Sequence, residues 1–404
     1  MVQTSSFPLL RQFFACVATP KRPRRALILV HGPDTVPFLQ GLCTAHVSRL
    51  AARHLPLCSS ACFLDRRGRV LFDTLLWFHN NERVYLDLDE RVVQLALRHL
   101  GLHRLRARVH WERVSASLFI QASVDTTVIE PVKPSSESTV QVRESGSYAE
   151  MQATDPRQLV LGKRIWVLAG SGLGQGVLAT AQQASRPARC YHSFWLAELH
   201  RVLHAIPQGI QDVAPGQALP LECNFEQLGA IAFDKGCYLG QELTARTHYT
   251  GVVRKRTVAG VLSPDPTEAM ERAEAAAEFV HAVQKGTENR TTTLFPREAL
   301  TWPVPAPLQR QLLHARQERI MIEPVHRAST EGRTRASLGT VVANLATALV
   351  PLADTDLNAT PSPTARLFRI TDQTPSMIEK WFFAWWVPPY LQMVGRASVA
   401  PSVS

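Results

Sequence analysis

The residues with the clearest chemical potential lie in one run, Lys235-Gly236-Cys237-Tyr238-Leu239-Gly240-Gln241-Glu242, with Arg246 and Arg254-Lys255-Arg256 close behind. Gly236 and Gly240 permit a tight turn and close backbone approach. A short helix is expected from Gln241 to Arg246, which sets Cys237 near a helix N-terminus and two residues from Lys235. Exposed peptide N–H groups and a neighbouring cation both favour a thiolate over a thiol. Cys237 is therefore the best candidate in the chain for a reactive sulfur. A free cysteine is also commonly a small buried hydrophobe, and spacing alone leaves the two readings open. Metal binding is the rival use of thiols. Cys58-x3-Cys62 supplies half a site, but no second pair at comparable spacing accompanies it. A resident zinc or iron–sulfur cluster is not expected on that count, whereas a transient one on Cys237, shared with a partner or a small thiol, stays open.

The elements that must position these groups follow from pattern. Ala26 to Val30 reads as a buried strand, and His31-Gly32-Pro33-Asp34 as a turn whose Asp34 caps a helix carrying Phe38, Leu39 and Leu42. Arg69 to Phe78 and Val84 to Leu88 read as paired strands joined at His79-Asn80-Asn81. Asp89 can cap a helix with Val92, Val93, Leu95, Ala96 and Leu100 on one side, ended by Gly101. Pro131 to Ser147 has the composition of an exposed loop, and Arg164 to Leu168 that of a strand. The run Gly170 to Gly176 lacks the Gly-Lys-Ser/Thr ending of a phosphate loop and reads as a turn. His192 to His204 and Thr267 to Lys285 have helical spacing, the second stopped by Gly286. Stretches 286–301 and 354–364 are polar and without pattern. Trp381 to Trp386 is an aromatic cluster too short to cross a bilayer, and core burial is expected of it.

Composition sets the outer bounds. The 404 residues suffice for two or three domains, and 19% charged residues exclude a disordered polyelectrolyte. No run reaches the ~18 apolar residues of a membrane-spanning helix. The net charge of +10 is compatible with an anionic ligand without identifying one, and the scattered arginines lack the aromatic interleaving of a nucleic-acid surface, so no DNA partner is expected. Seven scattered cysteines, an odd number, suit a reducing compartment. Residues 1–33 hold no Asp or Glu but carry Arg11, Lys21, Arg22, Arg24 and Arg25 among hydroxyl and apolar residues. That composition reads as a mitochondrial transit peptide over 1–25.

The Lys-Gly-Cys-Tyr-x-Gly-Gln-Glu segment resembles the signature of the folate-binding, glycine-cleavage T-protein-like family, in its iron–sulfur cluster assembly branch. Further stretches carry the same resemblance: Gly32-Pro33-Asp34 with Phe38-Leu39-Gln40-Gly41-Leu42, Leu64 to Asp73, Asp155-Pro156-Arg157 with Gly162 and Arg164, Arg201, Ile206-Pro207-Gln208-Gly209, and Leu219 to Asn224. The likeness covers about 26–260. Residues 335–351 resemble a remnant of the family's C-terminal barrel. Three features depart from the pattern. Thr44-Ala45-His46 stands where the family reads Thr-Asn-Asp, Gln208 stands for Glu, and 261–334 reads as an insertion or strong divergence.

The resemblance implies an α+β fold, with linked α/β lobes around a central folate-sized cleft and a small C-terminal antiparallel β-barrel. It divides the chain into a folate-binding region at 26–260, a divergent barrel at 261–350 and an unassigned tail at 351–404. It implies tetrahydrofolate as cofactor, with Asp73 facing the reactive nitrogens and Glu222 holding the pterin ring, and Asn224 and Tyr238 beside them. A carboxylate can accept two parallel hydrogen bonds from an amino-pyrimidine edge and can move a proton. The implied function is maturation of [4Fe–4S] proteins in the mitochondrial matrix, with Cys237 as transient thiolate and with assembly proteins and client enzymes as partners. A folate-dependent aminomethyl or one-carbon transferase, needing Asp73 but no thiol, is the alternative. A non-catalytic scaffold in the same cleft is the third reading.

Overall fold

The computed structural model describes residues 25–53, 57–121, 137–145, 148–158, 161–169, 197–285, 321–324, 336–342, 345–351, 367–370, 381–388 and 390. The expected address segment up to residue 24, the glycine run 170–176, the polar stretches 286–301 and 354–364, Cys16 and Cys190 lie outside them.

Ten strands come first: β1 (Arg25–His31), β2 (Leu57–Leu64), β3 (Val70–Asn80), β4 (Arg83–Asp89), β5 (His110–Val114), β6 (Ala116–Gln121), β7 (Glu137–Thr139), β8 (Gln141–Ser145), β9 (Tyr148–Thr154) and β10 (Lys163–Ala169). They form two antiparallel sheets, ordered β5-β1-β4-β3-β2-β7 and β6-β10-β9-β8. The expected β3–β4 hairpin is present, with Leu76 opposite Leu86. The expected loop at 131–147 is in part strand, since β7 and β8 fall inside it. Their Ser, Glu and Gln residues are poor strand formers alone, and pairing with β2 and β9 overrides that.

Successive side chains of a strand point to opposite faces, and the first sheet uses both. Ala26, Ile28 and Val30 of β1 join Phe72, Leu76 and Phe78 of β3 and Val84, Leu86 and Leu88 of β4 in one core. Helices α1 (Thr35–Gln40), α2 (Val47–Ala51) and α3 (Val93–His103) cover that face. The alternate residues Leu27, Leu75 and Trp77 pack instead on Met151, Ala153, Trp166 and Leu168 of the second sheet. Each large apolar side chain so buried contributes roughly 1.5–3 kcal/mol. Two helix ends differ from expectation. Asp34 makes no cap bond and instead receives the Arg108 backbone N–H at 2.8 Å. Gly101 does not stop α3, which runs on to His103.

Residues 197–285 carry α4 (197–203), α5 (Gly209–Asp212), α6 (Gln241–Thr250), β11 (Lys255–Ser263) and α7 (Pro266–Lys285). Strand β11 belongs to a closed barrel with β12 (Met321–Pro324), β13 (Ala336–Val342), β14 (Leu345–Pro351), β15 (Leu367–Ile370) and β16 (Phe382–Trp386), ordered β11-β14-β13-β12-β15-β16. The aromatic cluster is thus a core strand: Phe383 and Trp385 sit in one core with Leu338 and Ala348, and Ala384 and Trp386 face α7. Helix α7 presents Ala269, Ala273, Ala276 and Val280 to the barrel, one stripe at helical spacing, with Asp265 capping its first turn through the Thr267 N–H at 2.7 Å. The unassigned tail therefore supplies two barrel strands, and β11 starts before the boundary expected at 260.

Two predictions follow from buried polar groups. Asp212 takes the Arg201 guanidinium at 2.6 Å, the Gln208 N–H at 2.9 Å, the Thr340 N–H at 2.7 Å and the Thr347 hydroxyl at 2.6 Å. Replacing Asp212 by Ala removes four buried hydrogen bonds at once, leaving Arg201 with Glu198 as its carboxylate partner, and the expected loss is about 3–5 kcal/mol in a denaturant titration; an unmoved midpoint would contradict the arrangement. His200 and His204 lie buried with three ring nitrogens unpartnered among the described residues. Burial lowers His200 to about 4, and burial with the proximity of the His200 ring lowers His204 to about 3. An unfolded histidine titrates near ~6.5, so between that pH and about 4 the unfolded chain binds more protons. Stability is expected to fall as pH drops through this window, and His204→Phe to flatten the slope of midpoint against pH.

Candidate functional site

Strand parity places the first site residue. Asp73 lies on the same side of β3 as Leu75 and Trp77, away from the helices, and its strand partner is Cys62. Asp87 of β4 is its neighbour on that face and is fully buried. A buried ionic network fills the space between the sheets. Arg25 Nε meets Asp87 Oδ1 at 2.7 Å, and Arg164 Nη1 and Trp166 Nε1 meet its Oδ2 at 3.3 Å each. Arg164 Nε and Arg157 Nη2 share Asp155 Oδ2 at 2.8 and 2.7 Å. Gln208 Oε1 accepts from both guanidiniums, at 2.8 Å from Arg157 and 2.6 Å from Arg164. Burial alone would raise Asp155, yet the two arginines hold its carboxyl well below the usual range. A cavity of about 10 Å³, the room of one water, remains beside Asp155, Arg157 and Arg201.

Asp73 differs from its neighbours. Its Oδ1 accepts the Gly209 N–H at 2.8 Å, and no bond reaches its Oδ2 among the described residues. Burial pushes its carboxyl up, against the attraction of Arg25 and Arg157. Arg25 Nη1 is buried without a partner among the described residues. Gly209 delivers its N–H from a backbone with φ of +70°, and a Cβ there would come within 2.5 Å of Asp89 Oδ2. Only glycine fits both constraints.

The segment after α5 runs along β3 and back to the barrel. Gly216 donates to Val70 O at 2.8 Å and Val70 to Ala218 O at 2.9 Å. Glu222 Oε2 then accepts the Leu219 N–H at 2.8 Å, closing its own turn, and Glu222 O accepts from Thr257 at 2.9 Å. Asp73 and Glu222 each have one carboxylate oxygen engaged by a backbone N–H and the other without a bond among the described residues. Asn224 is fully buried with φ of +60°, and its side-chain amide donates to Thr257 O at 2.8 Å. The amide expected beside a ligand ties the Glu222 turn to β11.

Cys237 is exposed, while Cys43, Cys58, Cys62 and Cys223 are buried. Its surroundings differ from those expected. Lys235 Nζ donates to the carbonyls of Gln40, Cys43 and Ala45 at 2.7, 2.7 and 2.9 Å, beneath the Tyr238 ring at 4.7 Å. The ammonium is therefore committed to backbone and not to the thiol. Helix α6 starts only after Gly240, so Cys237 lies outside its first turn. Gly240 has φ of +79°, and a Cβ would meet Asp65 O at 2.4 Å. Lys235 and Gly240 thus pin the turn on both sides of the sulfur. Tyr238 is buried in a core with Cys62, Leu64 and Val70, which ties this turn to the strand pair carrying Asp73.

Cys58 and Cys62 point to one face of β2 but lie about 13 Å apart at strand spacing, too far for one ion. Among the described residues no group of three or more His, Cys, Asp or Glu is placed to hold a metal. Sequence reasoning missed Asp87 and Asp212, and gave Asp89 only its cap, which the Arg91 N–H makes at 2.9 Å, and not its bond to Ile210. The alternation Val84-Tyr85-Leu86-Asp87-Leu88-Asp89, with acids inside an apolar strand, was the available signal.

Brief alkylation of the native protein with iodoacetamide should modify Cys237 and spare Cys43, Cys58, Cys62 and Cys223 until denaturant is added. Peptide mass mapping checks this, and labelling of the buried four at the same rate would refute the placement. Gly209→Ala should cost at least about 1 kcal/mol from left-handed backbone alone, with more from the Asp89 clash, in a thermal or denaturant scan.

No family model matches the chain. Over 253 residues, 60% of this chain and 66% of the relative, it is 34% identical to the human mitochondrial iron–sulfur cluster assembly factor IBA57. Over 287 residues, 64% of this chain and 65% of the relative, it is 30% identical to the Dictyostelium discoideum homologue of that factor. The matched stretch spans just under two thirds of each relative's length. The crystal structure of the glycine cleavage system aminomethyltransferase T from Bartonella henselae aligns with a TM-score of 0.55 and 12% identity, over 95% of this chain and 89% of that one. The chain is thus a relative of the mitochondrial iron–sulfur cluster assembly factors, carried on the fold of the aminomethyltransferase T proteins.

Proposed function

We propose that this protein is a tetrahydrofolate-binding maturation factor of the mitochondrial matrix that uses Cys237 as a thiolate in assembly or insertion of [4Fe–4S] clusters. The observation that carries the reading is the exposed sulfur of Cys237 on a turn pinned by Lys235 and Gly240. A thiolate that receives a cluster and gives it up must be reachable from solvent and held on a rigid mount. The cluster is cargo: Cys237 supplies one ligand, and assembly proteins or client enzymes supply the others. The names of the relatives, which are mitochondrial cluster assembly factors, support the compartment and the process.

The donor set suits a reduced folate. Asp73 Oδ2 and Glu222 offer free carboxylate oxygens to pyrimidine N–H groups, and Arg25 Nη1 is an unmet donor near Asp73. When bound, the folate would supply a reduced pterin able to carry a one-carbon unit. Asp73, raised by burial, would hold or release a proton at Oδ2 beside it. Asn224 and Tyr238 would keep the Glu222 turn and the Cys237 turn in place. Aminomethyl transfer in the same cleft is the second reading, favoured by the T-protein fold and by Asp73.

Titration of the pure protein with tetrahydrofolate should give a saturable signal, weakened at least about tenfold in Asp73→Ala and in Glu222→Ala, the scale of one charged hydrogen bond. Absence of binding in the wild type would remove folate from the proposal. In cells, Cys237→Ala should lower [4Fe–4S] enzyme activities and leave [2Fe–2S] proteins intact. Retention of full [4Fe–4S] activity would remove the thiolate role, and aminomethyl turnover surviving that substitution would establish the transferase.

A further inference from the structure

The stretch from Arg91 to Trp111 holds five arginines and no acidic residue. In the fold it forms α3 and the turn after it. Leu102 is 69% exposed and Leu105 is 87% exposed, the two most exposed leucines among the described residues. Leu105 sits at the first central position of a turn closed by the Ala107 N–H on Arg104 O at 2.8 Å, with φ of +44°. That region suits glycine, and a leucine held there is strained. The fold therefore keeps a large apolar side chain at a turn tip, in water, in a conformation that disfavours it.

The charges around the tip divide into two groups. Arg108 pairs with Asp34 and Arg113 with Glu90. Arg98, Arg104 and Arg106 have no carboxylate partner among the described residues, and the Arg104 guanidinium lies over the Trp111 ring at 5.8 Å. Gly101, Leu102, Arg104, Leu105 and Arg106 are all exposed, so the two apolar side chains stand at the surface among cations. A protein partner of ordinary affinity needs an extended complementary face of about 800 Å². A bilayer needs only protruding apolar points and cations level with its phosphates.

We propose that the tip of α3, with Leu102 and Leu105 inserted and Arg98, Arg104 and Arg106 against phosphates, docks the protein on a membrane surface rich in anionic phospholipid. Charge complementarity selects the headgroup, and the two leucines select a bilayer over a soluble polyanion.

Hydrogen-exchange mass spectrometry of the full chain tests this locally. With vesicles of equal parts phosphatidylcholine and phosphatidylglycerol, peptides covering 98–111 should become protected, and with pure phosphatidylcholine they should not. The double variant Leu102→Ser with Leu105→Gly should lower that protection at least about tenfold, the scale of two inserted leucines. Glycine relieves the left-handed residue at 105, so the melting temperature should hold or rise. Arg98→Gln with Arg106→Gln should weaken binding and its salt dependence. Protection confined to residues 1–33, protection unchanged in the leucine variant, or protection of 98–111 by poly-L-glutamate but not by vesicles would each overturn the proposal.

Discussion

The structure depends on how the short segment from Arg201 to Asp212 is held. Within it, Asp212 takes donors from Arg201, from Gln208 and from the barrel strands through Thr340 and Thr347. Gln208 takes the two arginines of the second-sheet region, and Gly209 and Ile210 reach carboxylates of the first sheet. One stretch of twelve residues thus touches every sheet described above. Arg201, Gln208 and Asp212 are matched inside, where an unmatched group weighs heavily, whereas both ring nitrogens of His204 stay unpartnered among the described residues. Beyond that stretch, Arg25 Nη1 is buried without a partner among the described residues, and Asp73 bonds Gly209 through Oδ1 alone.

Gln208 clarifies a departure from the family pattern. An acid there would sit on the same two guanidiniums with a full charge. The amide oxygen keeps both hydrogen bonds and removes one negative charge from a buried group of three arginines and two aspartates. The surplus positive field falls on Asp73, whose attraction to Arg25 and Arg157 partly offsets the effect of its burial.

Strands β1, β3 and β4 of the first sheet were legible in the sequence because they alternate between two apolar faces, and both faces read as core; β2 and β5 were not read. Helix α7 was legible for the same reason, its stripe of alanines recurring at helical spacing. Strands β7 and β8 were not, because polar residues were recruited by neighbours distant in the chain. The barrel was only faintly visible, since β12 and β15 are four residues each and their periods are too short to stand out. At the candidate site the partners of the residues singled out were not legible. Lys235 and Cys237 are two apart in sequence, yet the lysine turns inward to three carbonyls and the cysteine outward. Spacing carries no information on that divergence, which is decided by the open carbonyls of 40–45.

Barrel closure has a bearing on the order in which this protein can form. Strand β11 pairs with β16, Ala259 lying opposite Trp386, so the first strand of the barrel lacks its second neighbour until nearly the whole polypeptide is available. The first sheet and its helices, by contrast, close among residues before 140. During synthesis or translocation the amino-terminal layer can therefore assemble early, while β11 waits with an open edge that other strands could occupy. A premature stop anywhere before residue 382 leaves that edge permanently bare, a liability for aggregation and a natural handle for quality control.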